Sequence, residues 1–382
     1  MNRYIIMLCC LAAVMPVRLY ASETPSTTQE TTVESSRTAE TIRKWDAIIS
    51  RLPKISGYLQ TGWDYNSLGA GRSTFQVKRL RLLMDGTINS KASFRLQIEA
   101  FSGTPAHANG QKSLQVMDAY ATYRFSTAFQ VRAGQYNSPM CYENYSISPA
   151  TMETVDFSSL CSRMLFRNAI GYGYPDFGRD LGVMVMGSFF PAEGGFNRLA
   201  YNLSLVNGHL PSINDNNKSK EVQGVLSYCP RKFFDVKAAY SYGEYTGDRN
   251  VDGHKYQPMS RIIGGIWYNN PSGADIRAEY AFASAKRGGQ HIVKENAFYI
   301  LAAYHFGKFL PVVRYEFYRD GIDRAQLSGN CDKYLAGLSY SPWRNIRLQA
   351  NYTLTSYTSK AKAANDGHST SSSIQLMGIF SF

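Results

Sequence analysis

Ser371-Ser-Ser-Ile-Gln-Leu-Met-Gly-Ile-Phe-Ser-Phe382 alternates along its length. Ile374, Leu376, Gly378, Phe380 and Phe382 fall on one side of a period-two strand, and Ser373, Gln375 and Ser381 fall on the other. One side of such a strand suits hydrocarbon and the other suits water.

The same alternation recurs upstream. Phe94, Leu96 and Ile98 oppose Arg95, Gln97 and Glu99; Ile276, Ala278, Tyr280 and Phe282 oppose Arg277 and Glu279. Ile346, Leu348, Ala350, Tyr352 and Leu354 oppose Arg347, Gln349, Asn351, Thr353 and Thr355. About sixteen such segments follow, most of them long enough, at roughly 10 to 13 residues, for tilted strands to cross a bilayer. They start near Lys54, Ser73, Ala92, Leu114, Phe129, Arg179, Asn197, Lys220, Phe234, Met259, Ala274, Glu295, Phe309, Asn330, Asn345 and Ser371.

The connections alternate in length. Asn66 to Arg72 is loop-like, Asn89-Ser90-Lys91 is tight, Ser102 to Ser113 is long, and Ser126-Thr127-Ala128 is short. Long outer loops and short periplasmic turns produce this rhythm. The expected fold is all-β: an antiparallel transmembrane β-barrel of about sixteen strands over residues 54–382, with both ends on the periplasmic side. The last strand, apolar on one side and ending on Phe, resembles the closing strand of bacterial outer-membrane barrels.

Composition agrees. The chain carries 27 Tyr and 20 Phe, which suits aromatic girdles at two membrane interfaces. After Ala21 no apolar run approaches the roughly 18 residues of a spanning helix. Arg3, the apolar run Ile5 to Val14 and Leu19-Tyr20-Ala21 predict a cleaved signal peptide over 1–21. Bulky Met7 and Leu8 before Cys9 and Cys10 disfavour a lipoprotein. Residues 22–53 read as a flexible periplasmic leader with a short helix over Thr41 to Ser50. The expected location is the bacterial outer membrane, in contact with its lipid and lipopolysaccharide. Cys141 and Cys161 fall in one long connection and are either a disulfide or two unpaired small residues; export permits the first.

That connection, residues 137–178, spans about 40 residues without alternation, and a loop so long is usually functional or disordered. Its aromatics (Tyr142, Tyr145, Phe157, Phe166, Tyr172, Tyr174, Phe177) argue against disorder. The economical reading is a third outer loop folded into the barrel and narrowing it.

The net charge of +12 by itself fits several classes of partner, but nucleic acid is not expected: the basic residues are scattered singly, and the chain is exported. Alternation turns Arg79, Arg81, Arg95, Arg132 and Arg347 inward, together with Arg277, Arg314, Lys237 and Lys333. It also turns Asp85, Glu99, Asp118, Glu221, Glu279 and Glu316 inward, so some charges pair across strands, Arg95 with Asp118 for example. Arginines in a narrow pore concentrate anions and lower their entry barrier. Arg79 and Arg81 are the leading candidates, with Arg163 and Arg167 approaching from the long loop; Arg95, Arg132 and Arg347 are secondary. No Gly-x-Ser-x-Gly elbow or His-Glu-x-x-His motif is present, and the histidines stand singly, so no enzyme, metal or cofactor is expected.

Phe75-Gln-Val-Lys-Arg-Leu-Arg-Leu-Leu-Met-Asp-Gly86 and Phe94-Arg-Leu-Gln-Ile-Glu99 resemble the opening of the phosphate-selective porin O and P family. Val116-Met-Asp-Ala-Tyr120, Val131-Arg-Ala-Gly-Gln135 and Gly178-Arg-Asp-Leu-Gly-Val183 continue the likeness in order. The resemblance implies a sixteen-stranded homotrimeric porin whose third loop lines the pore and whose arginines, Arg79 and Arg81 at the paired-basic position, carry phosphate or similar small anionic solutes. A general or sugar-selective porin with an aromatic constriction is the alternative. A structural or adhesive barrel belongs to another class.

Overall fold

The computed structural model describes residues 52–68, 73–101, 114–165, 178–208, 219–245, 257–287, 291–320 and 329–382. The expected signal peptide, and the leader up to residue 51 with its short helix, lie outside them.

The described residues form sixteen strands. The first eight are β1 (Lys54–Asn66), β2 (Ser73–Thr87), β3 (Ala92–Glu99), β4 (Gln115–Arg124), β5 (Gln130–Asn137), β6 (Arg179–Ala192), β7 (Phe196–Val206) and β8 (Glu221–Arg231). The rest are β9 (Phe234–Tyr245), β10 (Gln257–Asn269), β11 (Ala274–Arg287), β12 (His291–Tyr304), β13 (Phe309–Asp320), β14 (Cys331–Trp343), β15 (Ile346–Tyr357) and β16 (Thr370–Ser381). Each begins within four residues of its predicted start.

Every strand pairs antiparallel with its chain neighbours, and β1 pairs with β16 from Tyr58–Ser381 to Asn66–Ser373 to close the cylinder. Gly57 and Phe382 exchange backbone hydrogen bonds of 3.1 and 3.0 Å at the seam. Closure matters because an open sheet edge in hydrocarbon would leave backbone donors and acceptors unpaired at several kcal/mol each. The predicted alternating faces are both present. Leu348, Tyr352, Leu376 and Phe380 stay exposed on the outside, while Gln349, Asn351, Arg261 and Arg277 are buried inside. Fully buried arginine is rare in a water-soluble core. Here polar residues line the interior and apolar residues are left for lipid.

A β-bulge modifies this pattern at the candidate site. Gln60 pairs with Arg79 and Thr61 with Val77, so Lys78 is an extra residue in β2. The outward apolar positions accordingly step from Phe75 and Val77 to Leu80 and Leu82. Lys78 then reaches the lumen alongside Arg79 and Arg81, with its ammonium 2.5 Å from Asp156.

The connection after β5 carries α1 (Tyr142–Tyr145) and a π-helical turn (Leu160–Leu165). Ser138 donates to Gln223 of β8, Tyr142 N–H to Glu279 of β11, and Ser159 to Glu316 of β13. Val155 N–H donates to Asn351 of β15 at 2.7 Å, and its carbonyl accepts from Arg79 of β2 at 3.1 Å. Gln375 of β16 donates to Asp156. A segment bonded to strands around the whole circumference of a closed cylinder lies within it.

Packing explains where it sits. Met140, Cys141, Leu160, Cys161, Met164 and Leu165 form one apolar cluster with inward residues of β8 to β14, among them Ile263, Leu301, Val312 and Leu335. Alanines at 239, 281, 283, 297 and 303 leave the wall low enough for the segment to fit. Each fully buried Leu or Met side chain contributes about 1.5–3 kcal/mol. Gly265 makes room for the Tyr142 ring: a Cβ there would come within 2.8 Å of the ring edge and of Glu279 Cγ. A second short helix, α2 (Ser359–Ala363), belongs to the connection before β16.

Candidate pore constriction

The arginines singled out by sequence have different surroundings. Arg79 is buried, donates to Gln60 Oε1 at 2.6 Å and lies over the Phe157 ring. Arg81 is buried and paired with Glu99 at 2.9 Å. Arg95 pairs with Asp85 at 2.6 Å, not with Asp118 as the strand pattern suggested; Asp118 takes Arg179 at 3.2 Å. The reason is register, since Asp85 stands directly opposite Arg95 across the β2–β3 ladder. Arg132 donates to Thr122 at 3.2 Å and stacks on Tyr120 at 4.2 Å. Arg347 donates to Ser339 at 2.9 Å. Among the described residues neither Arg132 nor Arg347 has a carboxylate at ion-pair distance.

Arg163 lies on the π-helical turn over the Tyr318 ring of β13, so it stacks on that wall and is not brought to the β2 pair. Arg167 lies outside the described residues.

Acidic residues of the infolded segment are its attachments to the wall. Glu153 pairs with Arg277 at 2.8 Å, Glu143 lies 3.5 Å from Arg314, and Asp156 pairs with Lys78. Arg314 also donates to Thr154 Oγ1 and the Asp156 carbonyl, both at 3.0 Å. Arg261, bonded to Glu221 and to the Met164 and Leu165 carbonyls, ties down the turn. Sequence reading missed Lys78 and Arg261. The shifted apolar spacing of β2 could have revealed the first. The second sits between Met259 and Ile263, where an apolar inner wall hides the alternation.

Two loop carboxyls respond oppositely to this setting. Burial disfavours the charge of Asp156, but Lys78 and Arg79 outweigh it and hold the group well below the usual carboxylate range. Burial pushes Glu143 up, against the opposing pull of Arg314 and Arg277. A depressed acid stabilises the fold above its ordinary value, near pH 3.9, and that stabilisation is lost as pH falls through the folded value. The Asp156 attachment is therefore expected to persist from neutral pH down to about pH 4 and to be lost only in stronger acid. Glu143 has the reverse sign, because its ionisation opposes folding and mild acid relieves it. Asp156→Asn should raise open-channel current noise at neutral pH. A recording as quiet as that of the unaltered protein would remove Asp156 from the attachment.

The apolar half of the segment fills the lumen against β8 to β14, and the polar stretch Met152 to Asp156 crosses to β15, β16 and β2. A cavity of about 230 Å³ remains beside β1 to β4, lined by Tyr58, Arg81, Arg95, Asp118, Tyr145 and Arg179. Another of about 290 Å³ lies at the short-turn end, bordered by Arg347, Arg344, Lys308 and Thr151. Arg79, Arg81, Arg95, Arg132 and Arg347 thus all stand on strands outside the apolar fill, β15 and β2 to β5.

Known proteins share this architecture. The anion-selective porin from Comamonas acidovorans aligns with a TM-score of 0.64 at 14% identity, covering 86% of this chain and 99% of that one. The outer membrane channel DcaP of Acinetobacter baumannii gives 0.60 at 15% identity, covering 86% and 97%. OmpT of Vibrio cholerae in its trimer form gives 0.58 at 12% identity, covering 86% and 99%. At these identities the likeness is one of fold. No curated protein matches the sequence. The model of the family described as phosphate-selective porin O and P matches residues 57–382, most of the chain, and the chain therefore belongs to that family of channels in the bacterial outer membrane.

Proposed function

We propose that this chain is a passive diffusion porin preferring small anions, with phosphate or a similar oxyanion as the favoured solute. The observation that carries this reading is the position of Arg132 and Arg347. They are inward guanidinium groups without a carboxylate partner among the described residues, on strands outside the apolar fill. A guanidinium keeps its charge at any working pH and offers a fork of donors to oxyanions. Arg79 donates its hydrogen bonds to neutral groups and adds a further charge at the polar crossing of the segment, partly offset by Asp156 nearby. Arg81 and Arg95 contribute less field, because Glu99 and Asp85 cancel much of it. Residues 137–178 serve as the constriction. The protein works as a homotrimer in outer-membrane lipid and lipopolysaccharide, as the trimeric form of the Vibrio cholerae neighbour illustrates for that protein.

The test is planar-bilayer recording in a chloride gradient with phosphate titrated in. A reversal potential of the sign set by anions, and chloride current blocked by phosphate, are expected. Equal passage of both ions without phosphate block would favour a general or sugar-selective porin. Arg132→Ala combined with Arg347→Ala should shift the reversal potential toward cations while the barrel still assembles. An unchanged potential would remove both residues from the pathway.

A further inference from the structure

Cys141 and Cys161 bound the stretch that makes most of the segment's attachments. Between them lie Tyr142 on Glu279, Glu143 beside Arg314, Glu153 on Arg277, Val155 on Asn351 and Arg79, Asp156 on Lys78, and Ser159 on Glu316. Both cysteines are free thiols in the structure and wholly buried, in one apolar cluster with Leu160 and Met164. The Cys141 thiol is near enough to Cys161 to act on its ionisation. Each also starts a local turn: the Cys141 carbonyl accepts from Tyr145 N–H, and Cys161 N–H donates to Ser158 Oγ. Two short elements thus present adjacent thiols to one another.

We propose that Cys141 and Cys161 form a disulfide in the exported protein, stapling the two ends of this stretch of the constriction segment inside the barrel. Outer-membrane proteins cross an oxidising compartment, where such bonds form and persist. In the step, each thiol gives up its proton and an S–S bond forms between the two sulfurs. The two electrons pass to the disulfide of a periplasmic thiol–disulfide oxidant, which leaves as its dithiol. Burial and the neighbouring Cys141 thiol keep Cys161 protonated once the barrel has closed, and a protonated thiol is a poor nucleophile. Oxidation therefore precedes closure, and afterwards the wall shields the bond from reductant. The staple restricts the free chain between the two residues before folding and holds the polar crossing in register after it. Cys229 and Cys331 stand apart from this pair: Cys229 Sγ is bonded to Asp235 of β9, and Cys331 lies at the start of β14.

The bond is read by differential alkylation of the mature protein extracted from outer membranes. Denatured with N-ethylmaleimide and no reductant, Cys229 and Cys331 should take the label and Cys141 and Cys161 should not, and mass spectrometry should find their peptides joined. Dithiothreitol should leave the joined peptides intact in the folded barrel and separate them only after heating has unfolded it. Labelling of Cys141 and Cys161 without reductant would overturn the proposal. Reduction in the folded barrel would overturn the shielding. Neither readout depends on conductance, so the staple and the anion reading stand or fall separately.

Discussion

Arg277→Met is expected to release the constriction segment and give a larger, noisier channel. Arg277 is wholly buried in the inner wall, with its guanidinium 2.8 Å from Glu153 and 3.9 Å from Asp275 and its Nε donating to Tyr299. It also lies over the Trp267 ring at 5.3 Å. Met fills part of the volume but leaves Glu153 buried beside Asp275 with no cation between them. Removing one partner of a buried pair costs about 3–5 kcal/mol, because the remaining charge is uncompensated. That corresponds to a shift of roughly 10² to 5 × 10³-fold toward the detached segment. Single-channel recordings would show higher mean conductance and frequent fluctuations, with the barrel intact in detergent. Adding Glu153→Leu should restore much of the quiet state, since replacing both ions with apolar groups is often nearly neutral. Recordings of Arg277→Met that match the unaltered protein would show that the segment is held elsewhere.

Leu376→Arg should impair assembly into bilayers, whereas Gln375→Arg, one residue earlier, should not. Leu376 points outward near the middle of β16 and is 48% exposed, opposite Trp63 and Ala350 in the neighbouring strands. An arginine on the lipid face of a barrel costs about 2–4 kcal/mol at the bilayer midplane. Gln375 points inward and donates to Asp156 at 2.7 Å, so an arginine there gains a carboxylate partner. Refolding into vesicles, followed by the folded fraction, separates the two. Equal yields would mean that the outer face of β16 does not meet hydrocarbon.

Both outcomes depend on features that differ in how far they could be read from the chain alone. The parity of Leu376 and Gln375 was legible, as were the strand starts, because the membrane supplies one apolar and one wet surface and writes them onto alternate residues. Where an inner wall is itself apolar, as at Ile263 and Leu335, that contrast disappears, and Arg261 was lost with it. The bulge at Lys78 broke the period by a single residue and moved a third cation into the lumen.

Periodicity by itself therefore determined the barrel, its strand number and the identity of most lumen-facing residues, since a two-sided environment acts on each residue locally. Which of the lumen's arginines are neutralised was decided only by tertiary structure. Arg277 meets Glu153 across 124 positions, Gln349 meets the same residue's carbonyl across 196, and Arg95 meets Asp85 through register. Coulomb attraction falls with distance in space, and no spacing along the chain encodes the distance between an infolded segment and the wall it reaches.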